Sequence, residues 1–329
     1  MKIAVLGDGG WGTTLAIMLS KKGFNVTVWG AFPDYISLLQ KKRVNTRFLA
    51  GIRIPEEVKF TACLEEATEG KELIIFAIPS QYLRRVLKQL SFRKPLPGVY
   101  YLSVSKGIEV GTLKRMSEVI HDELGRIKLG VLSGPTIAQE VARGIPTAAV
   151  IASYDKKTRV HLQGIFASER FRIYTNDDVV GVELGGSLKN IIAIACGISD
   201  GLRFGANTKA ALLARGLAEI SRLGCAMGAR QKTFSGVSGL GDLVTTCISP
   251  FSRNRFVGEQ IGRGKQLRQI EKKMAMVAEG VPTTKSACKL SLRHKVDMPI
   301  AREVYNVLYK NKPPLTAVRD LMGRDYKEE

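Results

Sequence analysis

The chain has 329 residues, 45% of them hydrophobic, and a formal net charge of +20 at neutral pH. A chain of that length and composition can bury a substantial core and is expected to divide into two domains. Five scattered cysteines without a Cys-x-x-Cys pair and three histidines without ligand spacing exclude a disulfide framework, a structural zinc and a Ser-His catalytic pair.

The first element expected is a β-strand, Lys2–Leu6, running into Gly7-Asp-Gly-Gly-Trp-Gly12. A helix over Thr13–Lys22, closed by Gly23, and a second strand, Phe24–Trp29, follow. Strand, G-x-G-x-x-G, helix, strand is a dinucleotide-binding pattern. Gly7 permits the tight turn, Gly9 lets the backbone approach a pyrophosphate, and Gly12 lets helix and strand pack. The pyrophosphate rests on the helix N-terminus, where unbonded N–H groups favour an anion. Asp8 is then an unhelpful charge beside a pyrophosphate. The second strand ends at Trp29-Gly-Ala-Phe32, with neither the acid that marks NAD nor the arginine that marks NADP, so the 2′ preference stays open.

Further strands are expected at Glu72–Ile78, Val99–Val104 and Lys128–Leu132, with helices over Gln81–Leu90 and Leu113–Leu124 between them. This alternation predicts a doubly wound parallel sheet of Rossmann type, residues 1–181, with ligands beyond the strand C-termini. Three polar turns fall there: Pro79–Gln81, Ser103–Gly107 with Lys106, and Ser133–Thr136.

Residues 182–329 read as an all-α domain, with helices at Val182–Ile198, Thr208–Leu223, Arg253–Ile261, Lys285–His294, Ile300–Leu308 and Leu315–Met322. The first is apolar almost all round from Leu188 onward, which marks an interior helix. Lys189 shares a face of it with Ile192, Ala193 and Cys196. Either the lysine snorkels out at the helix end or it is held inside by a charge or ligand, where it serves as a proton donor. A glycine-rich turn, Ser235–Gly241, presents Asp242, readable as a helix cap. Ser252, Arg253 and Asn254 open a helix as a phosphate clamp or as a solvated basic turn.

Taken in order, Gly7-x-Gly-Gly-Trp-Gly-Thr13, Pro79-Ser-Gln81, Ser105-Lys-Gly107, Gly134-Pro-Thr136 and Leu184-Gly-Gly-Ser-Leu-Lys-Asn190 resemble one family. So do Gly239-Leu-Gly-Asp-Leu243, Ser252-Arg-Asn254 and Val277-Ala-Glu-Gly-Val281. The family is the bacterial NAD(P)-dependent glycerol-3-phosphate dehydrogenases, and the likeness spans nearly the whole chain. It implies reversible reduction of dihydroxyacetone phosphate to sn-glycerol 3-phosphate for glycerophospholipid synthesis, in a cytoplasmic homodimer that uses NAD or NADP and no metal. By position it implies Lys189 as proton donor/acceptor, with Lys106 and Asp242 also catalytic. Substrate positions are Lys106, Gly134, Thr136, Lys189, Asn190, Asp242, Ser252, Arg253 and Asn254. Cofactor positions are Gly7, Gly9, Gly10, Trp11, Gly12, Ala31, Pro79, Lys106, Ala138, Arg253, Val277 and Glu279. On physical grounds Asp242 and Asn190 are expected to orient the Lys189 ammonium.

A related hydroxyacid or sugar-acid dehydrogenase is the alternative within enzymes. A nucleotide-sensing or nucleic-acid-binding protein is the alternative outside them. The basic residues are short, scattered groups such as Lys41–Arg43, not interleaved with aromatics, so no nucleic-acid partner is expected. The opening apolar run is too short for a signal peptide, and no apolar run reaches the roughly 20 residues that cross a bilayer.

Overall fold

The structure, a computed structural model, describes residues 1–90, 98–274, 277–325 and 328. The chain forms two compact units, Met1–Lys106 with Lys114–Glu183, and Gly107–Leu113 with Leu184–Glu329.

Unit 1 is built on an eight-stranded sheet. Its strands are β1 (Lys2–Leu6), β2 (Asn25–Trp29), β3 (Lys59–Thr61), β4 (Leu73–Phe76), β5 (Tyr100–Ser103), β6 (Lys128–Ser133), β7 (Thr147–Ala152) and β8 (Phe171–Asn176), in the order β3-β2-β1-β4-β5-β6-β7-β8. The helices are α1 (Gly10–Lys21), α2 (Pro33–Lys42), α3 (Leu64–Thr68), α4 (Leu83–Gln89), α5 (Met116–Leu124), α6 (Ala138–Ala142) and α7 (Lys156–Phe166). The central strands are buried on both faces, as parallel strands covered by helices must be. Ile3, Val5 and Ile75 enter one apolar cluster, while Ala4, Leu6, Ile74 and Phe76 enter another.

The sheet departs from the all-parallel expectation at one junction, because β7 runs antiparallel to β6. The intervening α6 has only five residues, about 7 Å of helix. That is too short to carry the chain back along a six-residue strand of about 20 Å, so β7 returns in the opposite direction. The parallel registers pair Leu6 with both Trp29 and Phe76, and Phe76 with Ser103. Gly7, Gly30, Ala77 and the turn before Lys106 therefore leave the sheet along one edge.

Unit 2 is helical. The chain enters it within α8 (Val179–Gly201), which is buried at every residue from Gly181 to Ser199. Asp178 caps the first turn, accepting from the Gly181 N–H at 2.9 Å. This 23-residue helix meets the length and hydropathy of a membrane span, contrary to the shorter apolar run expected. However, 89% of its most apolar window is buried inside the protein, as a core helix requires. The remaining helices are α9 (Ala206–Ala226), α10 (Gln231–Phe234), α11 (Asp242–Ile248), α12 (Arg253–Gly262), α13 (Leu267–Lys273), α14 (Gly280–Arg293), α15 (Pro299–Tyr309) and α16 (Pro314–Met322).

α8 and α12 approach backbone to backbone through two pairs of glycines. A Cβ on Gly197 would lie 2.0 Å from the Arg255 carbonyl oxygen, and one on Gly258 2.0 Å from that of Ile194. One turn along, Gly201 and Gly262 repeat the contact. The glycine-rich stretch before Asp242 is a π-helical turn, Val237–Gly241, that leads directly into α11, and not the open turn expected. π turns recur at functional sites, where the extra residue re-aims a side chain.

Candidate active site

On unit 1 the first ligand-binding feature is the turn between β1 and α1. Gly7 has φ +129°, a conformation that favours glycine, and a Cβ on Gly12 would sit 2.0 Å from the Gly7 carbonyl oxygen. A Cβ on Gly9 would meet nothing within 4 Å. The turn is therefore closed toward the protein and open at Gly9, the residue over which a pyrophosphate must pass. α1 begins at Gly10 with no side-chain cap and no acid in its first turn, so its leading N–H groups and positive dipole end suit an anion. These residues fit a dinucleotide.

The turn is held from behind. The Asn45 Nδ2 donates to the Asp8 carbonyl oxygen at 2.8 Å and to Thr13 Oγ1 at 2.7 Å, while its Oδ1 accepts from Tyr35 and from the Phe48 N–H. Nothing in the local sequence pattern singles out Asn45, which lies 37 residues from Asp8. Thr14 on α1 donates to the Ala138 carbonyl at 3.1 Å, tying α1 to α6. Trp11 packs edge-on to Phe171 at 6.5 Å, and its indole nitrogen is buried with no hydrogen-bond partner among the described residues. Ala31 is exposed just beyond β2. Pro79 precedes a single 3₁₀ turn, Ser80–Tyr82, and Ser105 Oγ donates to the neighbouring Ile78 carbonyl at 2.5 Å.

Lys106, Gly134 and Thr136 come together at the same edge. The Lys106 Nζ donates to the Gly134 carbonyl at 2.8 Å and lies 3.4 Å from Thr136 Oγ1. Three residues named for substrate thus form one polar cluster.

On unit 2, Lys189 is 5% exposed and Asp242 1%. Lys189 Nζ donates to Asp242 Oδ1 and, at 2.6 Å, to Thr246 Oγ1, which in turn donates to the Asp242 carbonyl at 2.7 Å. The lysine is held inside by a carboxylate and does not snorkel outward. Asp242 is the first residue of α11 and directs its side chain to Lys189. Thr246 stands one turn further along α11, on the same face. Sequence reasoning missed Thr246. The only signal was its four-residue spacing from Asp242.

Asn190 does not orient Lys189 as expected. Its Oδ1 accepts from Asn254 Nδ2 at 2.8 Å, and the Asn254 Oδ1 accepts from the Gly280 N–H at 2.9 Å. One residue along a helix is a rotation of about 100°, which turns Asn190 away from Lys189 and toward α12. Ser252 caps α12, accepting from the Arg255 N–H at 3.2 Å. Arg253 is exposed, and its Nη1 donates to the Val277 carbonyl at 2.8 Å. Glu279 immediately precedes α14, so Val277, Glu279, Arg253 and Asn254 share one neighbourhood.

Among the described residues, no group of three or more His, Cys, Asp or Glu side chains is placed to hold a metal ion. Two family profiles match the chain. NAD-dependent glycerol-3-phosphate dehydrogenase N-terminus covers residues 2–159, and NAD-dependent glycerol-3-phosphate dehydrogenase C-terminus covers residues 178–319. The chain belongs to the NAD-dependent glycerol-3-phosphate dehydrogenase family.

A glycerol-3-phosphate dehydrogenase [NAD(P)+] of Geobacter metallireducens is 51% identical over 333 aligned positions, covering 100% of this chain and 98% of the relative. One from Thermoanaerobacter is 49% identical over 329, covering 100% and 99%. The crystal structure of glycerol-3-phosphate dehydrogenase from Coxiella burnetii superposes with a TM-score of 0.93 at 38% identity, covering 98% of this chain and 99% of that one.

Proposed function

We propose that the chain is an NAD(P)-dependent oxidoreductase that reversibly reduces dihydroxyacetone phosphate to sn-glycerol 3-phosphate, for glycerophospholipid synthesis. The observation that carries this reading is the buried Lys189–Asp242–Thr246 cluster, in a chain 51% identical along its length to an enzyme of that name. The β1–α1 turn would hold a reduced nicotinamide dinucleotide, which would supply hydride to the carbonyl carbon. The carbonyl oxygen then gains negative charge and takes a proton from Lys189 Nζ, leaving a neutral amine. In the reverse direction the amine removes the proton from the hydroxyl. Asp242 keeps the ammonium charged before the transfer, and Thr246 sets the direction in which its remaining protons point.

Residues 1–181 are the proposed dinucleotide-binding domain, using Gly7, Gly9, Gly10, Trp11, Gly12, Ala31, Pro79 and Ala138. Residues 182–329 are the proposed catalytic domain. Arg253, with Ser252 and Asn254, is assigned to the substrate phosphate, because a guanidinium beside a helix N-terminus matches that anion in charge and donor geometry. Asn190 supports Asn254 in that task. Lys106, Gly134 and Thr136 are further proposed substrate residues, and Lys106, Arg253, Val277 and Glu279 further cofactor residues. The enzyme is a cytoplasmic homodimer in this reading, which five free cysteines suit. Sedimentation at twice the 36.0 kDa chain mass tests the dimer.

An initial-rate assay with dihydroxyacetone phosphate, following loss of NADH and separately of NADPH, tests the function. Turnover with at least one is expected. No turnover with either, in protein shown to bind nucleotide, overturns the reading.

A further inference from the structure

The strand position that ordinarily discriminates NAD from NADP is blank in this chain. β2 ends at Trp29, and Gly30-Ala31-Phe32 follows with no charge. The charge comes instead from the glycine turn. The Asp8 carboxylate packs against Gly30, where a Cβ would lie 2.6 Å from Asp8 Oδ2 and 2.8 Å from its Cγ. Because β1 and β2 end in register, Asp8 reaches sideways across the sheet edge to the end of β2. It does not project into the pyrophosphate path, contrary to what the sequence suggested. A side chain at residue 30 would have to displace the Asp8 carboxylate and the end of Ile36.

Further features define the setting of this carboxylate. Its backbone is locked, since the Asp8 carbonyl accepts from both Asn45 Nδ2 and Thr13 Oγ1, so the carboxylate has a fixed base. The side chain is half-buried, and its Oδ2, turned inward against Gly30, has no hydrogen-bond partner among the described residues, so a donor reaches that oxygen only when the carboxylate rotates about its last torsion. Burial raises its pKa from the ordinary aspartate value, so a hydroxyl donating to it relieves a real cost. Asp34, exposed in the first turn of α2, adds negative potential at the same strand end. An opposing charge comes from Arg47, which stacks over Tyr35 and Phe48 at 5.8 and 5.5 Å and lowers the Asp8 pKa in part.

We propose that Asp8 is the residue that selects NAD(H) over NADP(H), accepting a hydrogen bond from the 2′-hydroxyl of the adenosine ribose and repelling a 2′-phosphate. It does from the glycine turn what an acid at the end of β2 does elsewhere. A ribose hydroxyl is a donor that suits the half-buried Asp8 carboxylate. A 2′-phosphate brings only acceptor oxygens and two negative charges against a buried carboxylate, the kind of like-charge contact that gives specificity by exclusion. The inference rests on the dinucleotide reading of unit 1 given above.

Calorimetric titration of the full chain with NADH and with NADPH separates the two. The wild-type protein is expected to bind NADH at least about tenfold tighter. Asp8→Asn, which removes the charge and adds a donor, is expected to bring the two affinities together, chiefly by tightening NADPH. Equal or tighter NADPH binding by the wild type, which would place the 2′-phosphate on Arg47, overturns the proposal. An unchanged ratio in folded Asp8→Asn also overturns it. If that variant does not fold, the wild type titrated with ADP-ribose and with 2′-phospho-ADP-ribose carries the test, and equal affinities overturn the proposal. Failure of the wild type to bind any of these nucleotides overturns the dinucleotide reading itself, a different result from loss of discrimination.

Discussion

Lys189 combines burial with charge, and its chemistry follows from that. An uncompensated ammonium in an interior is costly, and here Asp242 and Thr246 compensate it. Lys189→Ala is expected to lower kcat by about 10²- to 10⁴-fold while NADH affinity persists. Near-normal turnover would remove the lysine from the reaction. Thr246→Val keeps shape but removes the hydroxyl that accepts from Nζ. It is expected to lower kcat with little change in KM and to shift the acid limb or base limb of the kcat–pH profile. An unchanged profile would leave Thr246 a packing residue. At this scale the sequence was partly legible. A lysine on an apolar helix requires a partner, and Asp242 is the acid that the structure puts there, 53 residues away. Thr246 and Asn45 were not legible, because a hydroxyl or amide inside a helix or loop has no signature until its partner from a distant segment is known.

Between elements, backbone proximity and buried capping dominate. The α8–α12 seam has no room for a side chain at Gly197 or Gly258. Gly258→Val is expected to destabilise by about 3 kcal/mol or more, as overpacking that moves backbone does, read by chemical denaturation. A cost near zero would mean the helices part easily. Glu219 on α9 is 1% exposed and caps α15, accepting from the Ile300 N–H at 2.7 Å and from the Ala301 N–H at 3.2 Å. Burial pushes its carboxyl up to about 7, despite those two donors. The folded chain therefore holds a proton that the unfolded chain loses near pH 4.5. Stability from this group is complete at lower pH and declines as pH rises from about 4.5 to about 7, by at most roughly 3 kcal/mol. In Glu219→Gln the slope of stability against pH over that window should flatten, and an identical slope would assign it elsewhere. The strand–turn–helix–strand opening was legible because period-2 and period-3.6 patterns meet there at a glycine signature. β3, β7 and β8 were not, for β3 has three residues. β7 and β8 are held by pairing with strands that local pattern cannot identify. The Ser235–Gly241 stretch was read as a turn because glycine propensity argues against helix, and tertiary packing overrode it.

For the whole molecule, a net charge of +20 and a doubly anionic substrate predict attraction at long range. The kcat/KM for dihydroxyacetone phosphate is expected to fall as salt rises, with kcat little changed, since steering acts on encounter and is screened over about 10 Å at 0.1 M. A salt-independent kcat/KM would make the charge a matter of solubility. The sequence carried the two-part plan, the sheet and the family, all properties spread over many residues. It could not carry the direction of β7, which depends on the length of one short helix. The glycine seam bears on how such a chain can drift. α8 carries Lys189 and Asn190, and α12 begins with Arg253 and Asn254. The Asn190–Asn254 bond joins the two near one end of the contact that Gly197, Gly201, Gly258 and Gly262 close at the other. The spacing of Lys189 from Arg253 is thus set by four absent methyl groups. A change as mild on any similarity scale as glycine to alanine would there be felt as an altered substrate fit, inherited at a distance from every residue that touches the substrate.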